Sequence, residues 1–117
     1  MNVKIVDLRD LNSKDERILL KVLKDCNIGE YILFDTTYDG DGNPSNIFRH
    51  CYIFPSKKVN AGDYIQLYTG HGNQKSVERT DGYINHKFYW GSDEPIWNNE
   101  KDIAYLIHYD DCNKKEF

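Results

Sequence analysis

Four histidines, three cysteines and several paired carboxylates are the residues of this chain that could do chemistry. Asp39-Gly40-Asp41-Gly42-Asn43 opens like a calcium loop, with side-chain oxygens at alternate positions. An EF-hand loop needs a bidentate Glu at its twelfth position, and the twelfth residue here is His50. Asp-Gly and Asn-Pro are turn dipeptides, so a Gly-rich turn ahead of Pro44 is the expectation. The histidines, His50, His71, His86 and His108, form neither HExxH nor a paired zinc-finger spacing. Cys26, Cys51 and Cys112 are odd in number and lack CxxC spacing, which argues against a disulfide framework and a thiolate zinc site. Reduced, structural cysteines are expected. His50 and Cys51 are neighbours on a predicted strand and point to opposite faces, so they cannot form a Cys–His pair. Gly70-His71-Gly72 lacks the third Gly and the following helix of a dinucleotide site. The carboxylate pairs Asp39/Asp41, Asp93/Glu94 and Asp110/Asp111 fall in predicted turns or at the terminus, where solvated charge is the reading. The expectation is a chain that is not an enzyme and holds no metal or cofactor. The alternative is a small enzyme or metal-binding protein in which His50, His86 or His108 meets carboxylates in space.

Aromatic residues carry more information. Tyr89, Trp90 and Trp97 bracket the segment Gly91-Ser92-Asp93-Glu94-Pro95. A Trp side chain covers a large area and is highly buried on average, so Trp90 on a predicted strand is expected inside. Trp97 is a core residue or, if exposed with Pro95 and Ile96, a contact anchor of the kind that dominates binding hot spots. Tyrosines outnumber phenylalanines nine to five, which suits a half-wet face or a binding surface. Tyr68, His71, Tyr89, Pro95, Ile96 and Trp97 are the candidate binding residues.

The elements that must position them read mostly as strands. Residues 47–54 are rich in aromatic and β-branched types and stop at Pro55, with Phe48, His50, Tyr52 and Phe54 on one face. Residues 63–68 alternate cleanly, Ile65 and Leu67 opposing Gln66. Residues 30–38, 86–90 and 103–108 are further strands by composition. Residues 13–27 are ambiguous. Ser13-Lys14-Asp15-Glu16 is a capping-box pattern, and Leu19, Val22, Leu23 and Cys26 follow at helical spacing. Ile18, Leu20 and Val22 equally suit one face of a strand.

With 117 residues, the chain fits one domain, 1–117, with an ordered core from about residue 3 to about residue 110. Its net charge of −4 argues against non-specific nucleic-acid binding. Mean hydropathy is −0.74, and no apolar run could span a membrane. The first ten residues lack the apolar segment of a secretory signal, so the expected location is cytoplasmic or otherwise intracellular.

Ile53-Phe54-Pro55, then Val59-Asn60-Ala61-Gly62-Asp63-Tyr64-Ile65-Gln66-Leu67-Tyr68, resembles the lamin tail domain family, where a Phe-Pro and spacer precede a small residue and Gly that open an apolar strand. Phe88-Tyr89-Trp90, Pro95-Ile96-Trp97-Asn98-Asn99 and Asp102-Ile103-Ala104-Tyr105-Leu106 are similar to its aromatic strand, Trp-containing loop and final strand. Ile28-Gly29-Glu30-Tyr31-Ile32-Leu33 resembles its apolar-Gly-x-aromatic stretch, where the family often has Trp at the place of Tyr31. The resemblance implies an all-β, immunoglobulin-like sandwich of about seven to nine short strands. It turns residues 16–23 toward strand. It also implies a non-catalytic interaction module whose partner is another protein, with nucleic acid as the remaining alternative.

Overall fold

Alternating apolar and polar residues build most of the strands among the described residues, and no α-helix occurs there. The computed structural model describes residues 1–36, 41–42, 49–97 and 102–117. Ten strands follow in order: β1 (Val3–Arg9), β2 (Arg17–Val22), β3 (Cys26–Asn27), β4 (Tyr31–Thr36), β5 (His50–Ile53), β6 (Lys58–Val59), β7 (Tyr64–Tyr68), β8 (Lys75–Glu78), β9 (Ile84–Tyr89) and β10 (Ile103–His108). A 3₁₀ turn, Ile28–Glu30, leads into β4.

The strands form a five-stranded sheet in the order β1-β2-β7-β9-β8, a three-stranded sheet β10-β4-β5, and a small β3-β6 pair. All pairs are antiparallel except β7 with β9. The two larger sheets turn their apolar faces to one core. Ile18, Leu20, Val22, Ile65, Leu67 and Phe88 come from the large sheet, and Tyr31 and Leu33 from the smaller one. Ile28, Phe54, Val59, Ile96 and Trp97 fill in from the connections. At roughly 25 cal/mol per Å² of apolar surface removed from water, these side chains are the main source of stability.

The ambiguous segment 13–27 contains strand β2. Its period-two apolar set, Ile18, Leu20 and Val22, is buried against the second sheet, while Arg17 and Lys21 stay half-exposed on the other face. The capping-box residues make a turn instead: Glu16 N donates to Ser13 O at 3.2 Å, and Ser13 Oγ donates to Asp10 O at 2.7 Å. Tertiary burial outweighs the local helical signal. The sequence-based strands recur as β4, β5, β7, β9 and β10, and β1, β3, β6 and β8 are additional. Ile47 and Phe48 lie outside the described residues, as do Asp39, Gly40 and Asn43 of the calcium-like loop. Among the described residues, no helix is long and apolar enough to cross a membrane.

Glycine is required at the entry to β7. Gly62 has φ of +94°, and the Tyr83 ring lies against its Cα where any Cβ would stand.

Candidate functional site

Glu16 is fully buried at one end of the large sheet. Its Oε1 accepts from Thr69 Oγ1 (2.7 Å), Ile96 N (2.9 Å) and Trp97 N (3.1 Å). Its Oε2 accepts from Asn12 N at 2.8 Å. One carboxylate thus ties together the β1–β2 turn, the end of β7 and the loop 91–97. Bonds of this charge-assisted kind are the stronger protein hydrogen bonds. Backbone bonds extend the clamp, from Thr69 N to Glu16 O (3.0 Å), Ser92 N to Thr69 O (2.9 Å) and Gly91 N to Gly70 O (3.0 Å).

The clamp decides the fate of two candidate binding residues. Ile96 and Trp97 are each only 2% exposed, held inward by their own backbone bonds to Glu16. They are core residues and not contact anchors. Trp90 is half-buried and packs on the core, its ring 6.2 Å from Trp97 and 5.7 Å from Tyr52. The other four candidates gather at the surface of this end. Tyr68 and Tyr89 stack at 5.1 Å with an interplanar angle of 17°. Gly72 lies directly against the Tyr89 ring, with no room for a Cβ. His71 Nε2 sits 2.6 Å from Asp93 Oδ1, both exposed. Pro95 is half-buried beside them. An open hollow of about 580 Å³ runs between Lys14 and Asp15 on one wall and His71, Asp93 and Pro95 on the other. A second, of about 390 Å³, lies across the same loop, beside Arg49 and His50.

No family model matches the chain, and no curated protein matches it either.

The histidines do not share a site. Each is matched to its own carboxylate: His50 to Asp35 (3.0 Å), His71 to Asp93 (2.6 Å), His86 to Asp63 (2.9 Å) and His108 to Glu30 (3.2 Å). His108 also stacks on the buried Tyr31 ring at 4.7 Å. The most buried pair is His86–Asp63, and His86 Nδ1 lies 3.0 Å from Ser76 Oγ. Burial pushes the Asp63 carboxyl up. The His86 ring and the backbone N–H groups of Asn60 and Ile84 outweigh it and hold the group below the usual carboxylate range. Among the described residues, no group of three or more His, Cys, Asp or Glu side chains is placed to hold a metal ion. The three thiols are unpaired by disulfides. Burial, then the charges of Glu30 and Asp25, push the Cys26 thiol up, and burial does the same for Cys51, so neither is poised as a thiolate.

Sequence reasoning missed Glu16, which reads locally as the closing Glu of a capping box. Its partners at Thr69, Ile96 and Trp97 are more than fifty residues away in sequence. The hydrophobic pattern carries no signal for such a bond.

Proposed function

We propose that the chain is a non-catalytic protein-interaction module on an immunoglobulin-like sandwich of lamin-tail type. Several features support that fold reading. Ala61-Gly62-Asp63 forms the turn that opens β7, β9 is the aromatic strand, Trp97 is in the core, and β10 pairs with β4. The observation that carries the function is the corner at Tyr68, Tyr89, His71 and Pro95. There a buried clamp fixes the loops while aromatic and imidazole groups stay at the surface. Loops held by a rigid scaffold are common binding sites, and Tyr is enriched at binding hot spots. The test is capture from the source lysate with wild-type, His71→Ala and Tyr89→Ala baits, compared by mass spectrometry. A partner retained by the wild type and lost by variants of unchanged fold supports the reading. Capture of nothing by a well-folded wild-type bait, or of the same set by all three, overturns it.

One observation favours a second reading, a small hydrolytic enzyme. Ser76, His86 and Asp63 form a hydrogen-bonded line, with Ser76 an exposed residue of strand β8. In that reading Ser76 Oγ attacks an ester's acyl carbon as His86 takes its proton, the ester C–O bond breaks and the alcohol leaves with that proton, and water then cleaves the acyl-serine to release the acid. Release of p-nitrophenolate from p-nitrophenyl acetate above the solvent rate, abolished by Ser76→Ala, is the expected result. A rate indifferent to Ser76→Ala removes the reading.

A further inference from the structure

The outer face of the five-stranded sheet collects positive charge in an acidic protein. Strand alternation and register put three rows on that face. The first runs Lys4, Lys21, Tyr64, Asn85, Val77 across the strands. The second runs Asp7, Leu19, Gln66, Lys87, Lys75, and the third Arg9, Arg17, Tyr68, Tyr89. Arg79, just beyond β8, adds a seventh cation by lying 4.3 Å from the Tyr64 ring centroid. Seven of the 15 Lys and Arg residues therefore share one face. Three carboxylates answer them, Asp7 on Arg9 (3.2 Å), Asp10 on Arg17 (2.5 Å) and Asp81 on Arg79 (3.1 Å). Seven cations against three carboxylates leave the face four positive, so the remainder of a chain with net charge −4 carries −8. Among the described residues, Lys4, Lys21, Lys75 and Lys87 have no carboxylate at ion-pair distance.

We infer that this face docks an acidic polypeptide segment. The inference rests on the reading of the chain as an interaction module and supplies its partner's chemistry. Unneutralised cations on about 20 Å of sheet width attract an anionic partner and speed its encounter. The tyrosines decide which anion. Sequence-tolerant binding of single-stranded nucleic acid uses open aromatic faces for base stacking. Here cations or a second ring already lie over each of the two β7 tyrosines. Lys21 of β2 (5.6 Å) and Arg79, just beyond β8 (4.3 Å), both lie over the Tyr64 ring. Tyr68 is flanked by Arg17 (5.5 Å) and by the stacked Tyr89 ring, with Lys87 at 5.9 Å. The face offers four ammonium groups and the amides of Gln66 and Asn85. Arg17 is already oriented by Gln66, its Nε donating to Gln66 Oε1 at 3.0 Å. The ammonium groups of Lys4, Lys21, Lys75 and Lys87, which have no carboxylate of their own among the described residues, suit the carboxylates of an extended chain. The row ends at the Tyr68–Tyr89 corner, so face and corner form one continuous surface.

The test uses fluorescence anisotropy at low and physiological salt with two labelled probes of equal charge. One is a peptide of alternating Glu and Ser with six carboxylates, and the other is an oligothymidine with six phosphates. The expected result is peptide binding at least about tenfold tighter than oligonucleotide binding, weakening with salt. Lys21→Glu/Lys87→Glu is expected to reduce peptide affinity at least about tenfold, and Lys4→Glu/Lys75→Glu to act in the same direction from exposed rim positions, each with an unchanged melting curve. Lys58→Glu/Lys114→Glu, off the face, should leave binding unchanged. Equal or tighter oligonucleotide binding, no peptide binding at low salt, or an equal loss in the off-face variant overturns the inference. Lysate capture with the Lys21→Glu/Lys87→Glu bait separates the two levels. A partner that survives it leaves the module standing and removes the face, whereas no partner for any bait removes the module.

Discussion

Glu16 shows how one side chain fixes a surface it never reaches. Its four hydrogen bonds satisfy backbone donors of Asn12, Ile96 and Trp97 and the hydroxyl of Thr69. Glu16→Gln keeps the shape but sets an amide NH₂ against at least one of those donors. Leaving buried partners unsatisfied costs about 1–3 kcal/mol each. Urea unfolding should show a loss in that range, with a changed tryptophan fluorescence spectrum as the loop beneath Trp97 loosens; a variant as stable as the wild type would contradict the clamp. Asp63 makes a pH prediction. Its carboxyl is held low in the fold, so its ionised form is the stabilising one. The sign follows: that stability is present above its unfolded value and is lost as pH falls through the lower folded value, below about pH 4. Melting temperature measured from pH 6 downward should fall more steeply in this window for the wild type than for Asp63→Asn, which starts lower at pH 6. Parallel curves would sink the assignment.

At the scale of elements, legibility followed the burial pattern. β4, β7, β9 and β10 have an inward apolar or aromatic set long enough to read. β8 is exposed at all four positions, so no apolar face announced it. β1 is interrupted by a register shift between Ile5 and Asp7, which breaks the alternation. β2 carried both helical and strand patterns, and only the second sheet's demand for Ile18, Leu20 and Val22 separated them. The candidate site was half legible. Tyr68, His71, Tyr89 and Pro95 converge as surface groups, while Ile96 and Trp97 turn inward under the pull of a residue eighty positions away. Trp97→Ala therefore reports on the core. It should cost about 3–5 kcal/mol. Trp97→Phe should cost less, because the indole Nε1–H has no hydrogen-bond partner among the described residues and its removal strands nothing. Denaturant midpoints for the pair check this; equal losses would mean the indole nitrogen is satisfied in solution.

For the whole molecule, net charge is a poor guide to what a surface attracts. A total of −4 hides one face that is locally basic and a remainder that is strongly acidic. The sequence scatters these cations over residues 4 to 87, and only strand order brings them together. At pH 7 and low salt the protein should be retained on a sulfonate cation exchanger in spite of a pI near 5.5, and Lys21→Glu/Lys87→Glu should flow through. Flow-through of the wild type would show that the face is too weak a patch to act alone. The parallel pairing of β7 with β9 has a consequence in time. Two parallel neighbours cannot close as a hairpin, whereas β1 with β2, and β8 with β9, are antiparallel and adjacent in sequence. These local pairs can zip early, but joining β2 to β7 and β7 to β9 must wait for distant chain segments to meet, the slower class of folding event. The cation rows span those late seams. A newly made or partly opened chain therefore presents no docking face, and binding to it becomes a readout of completed folding.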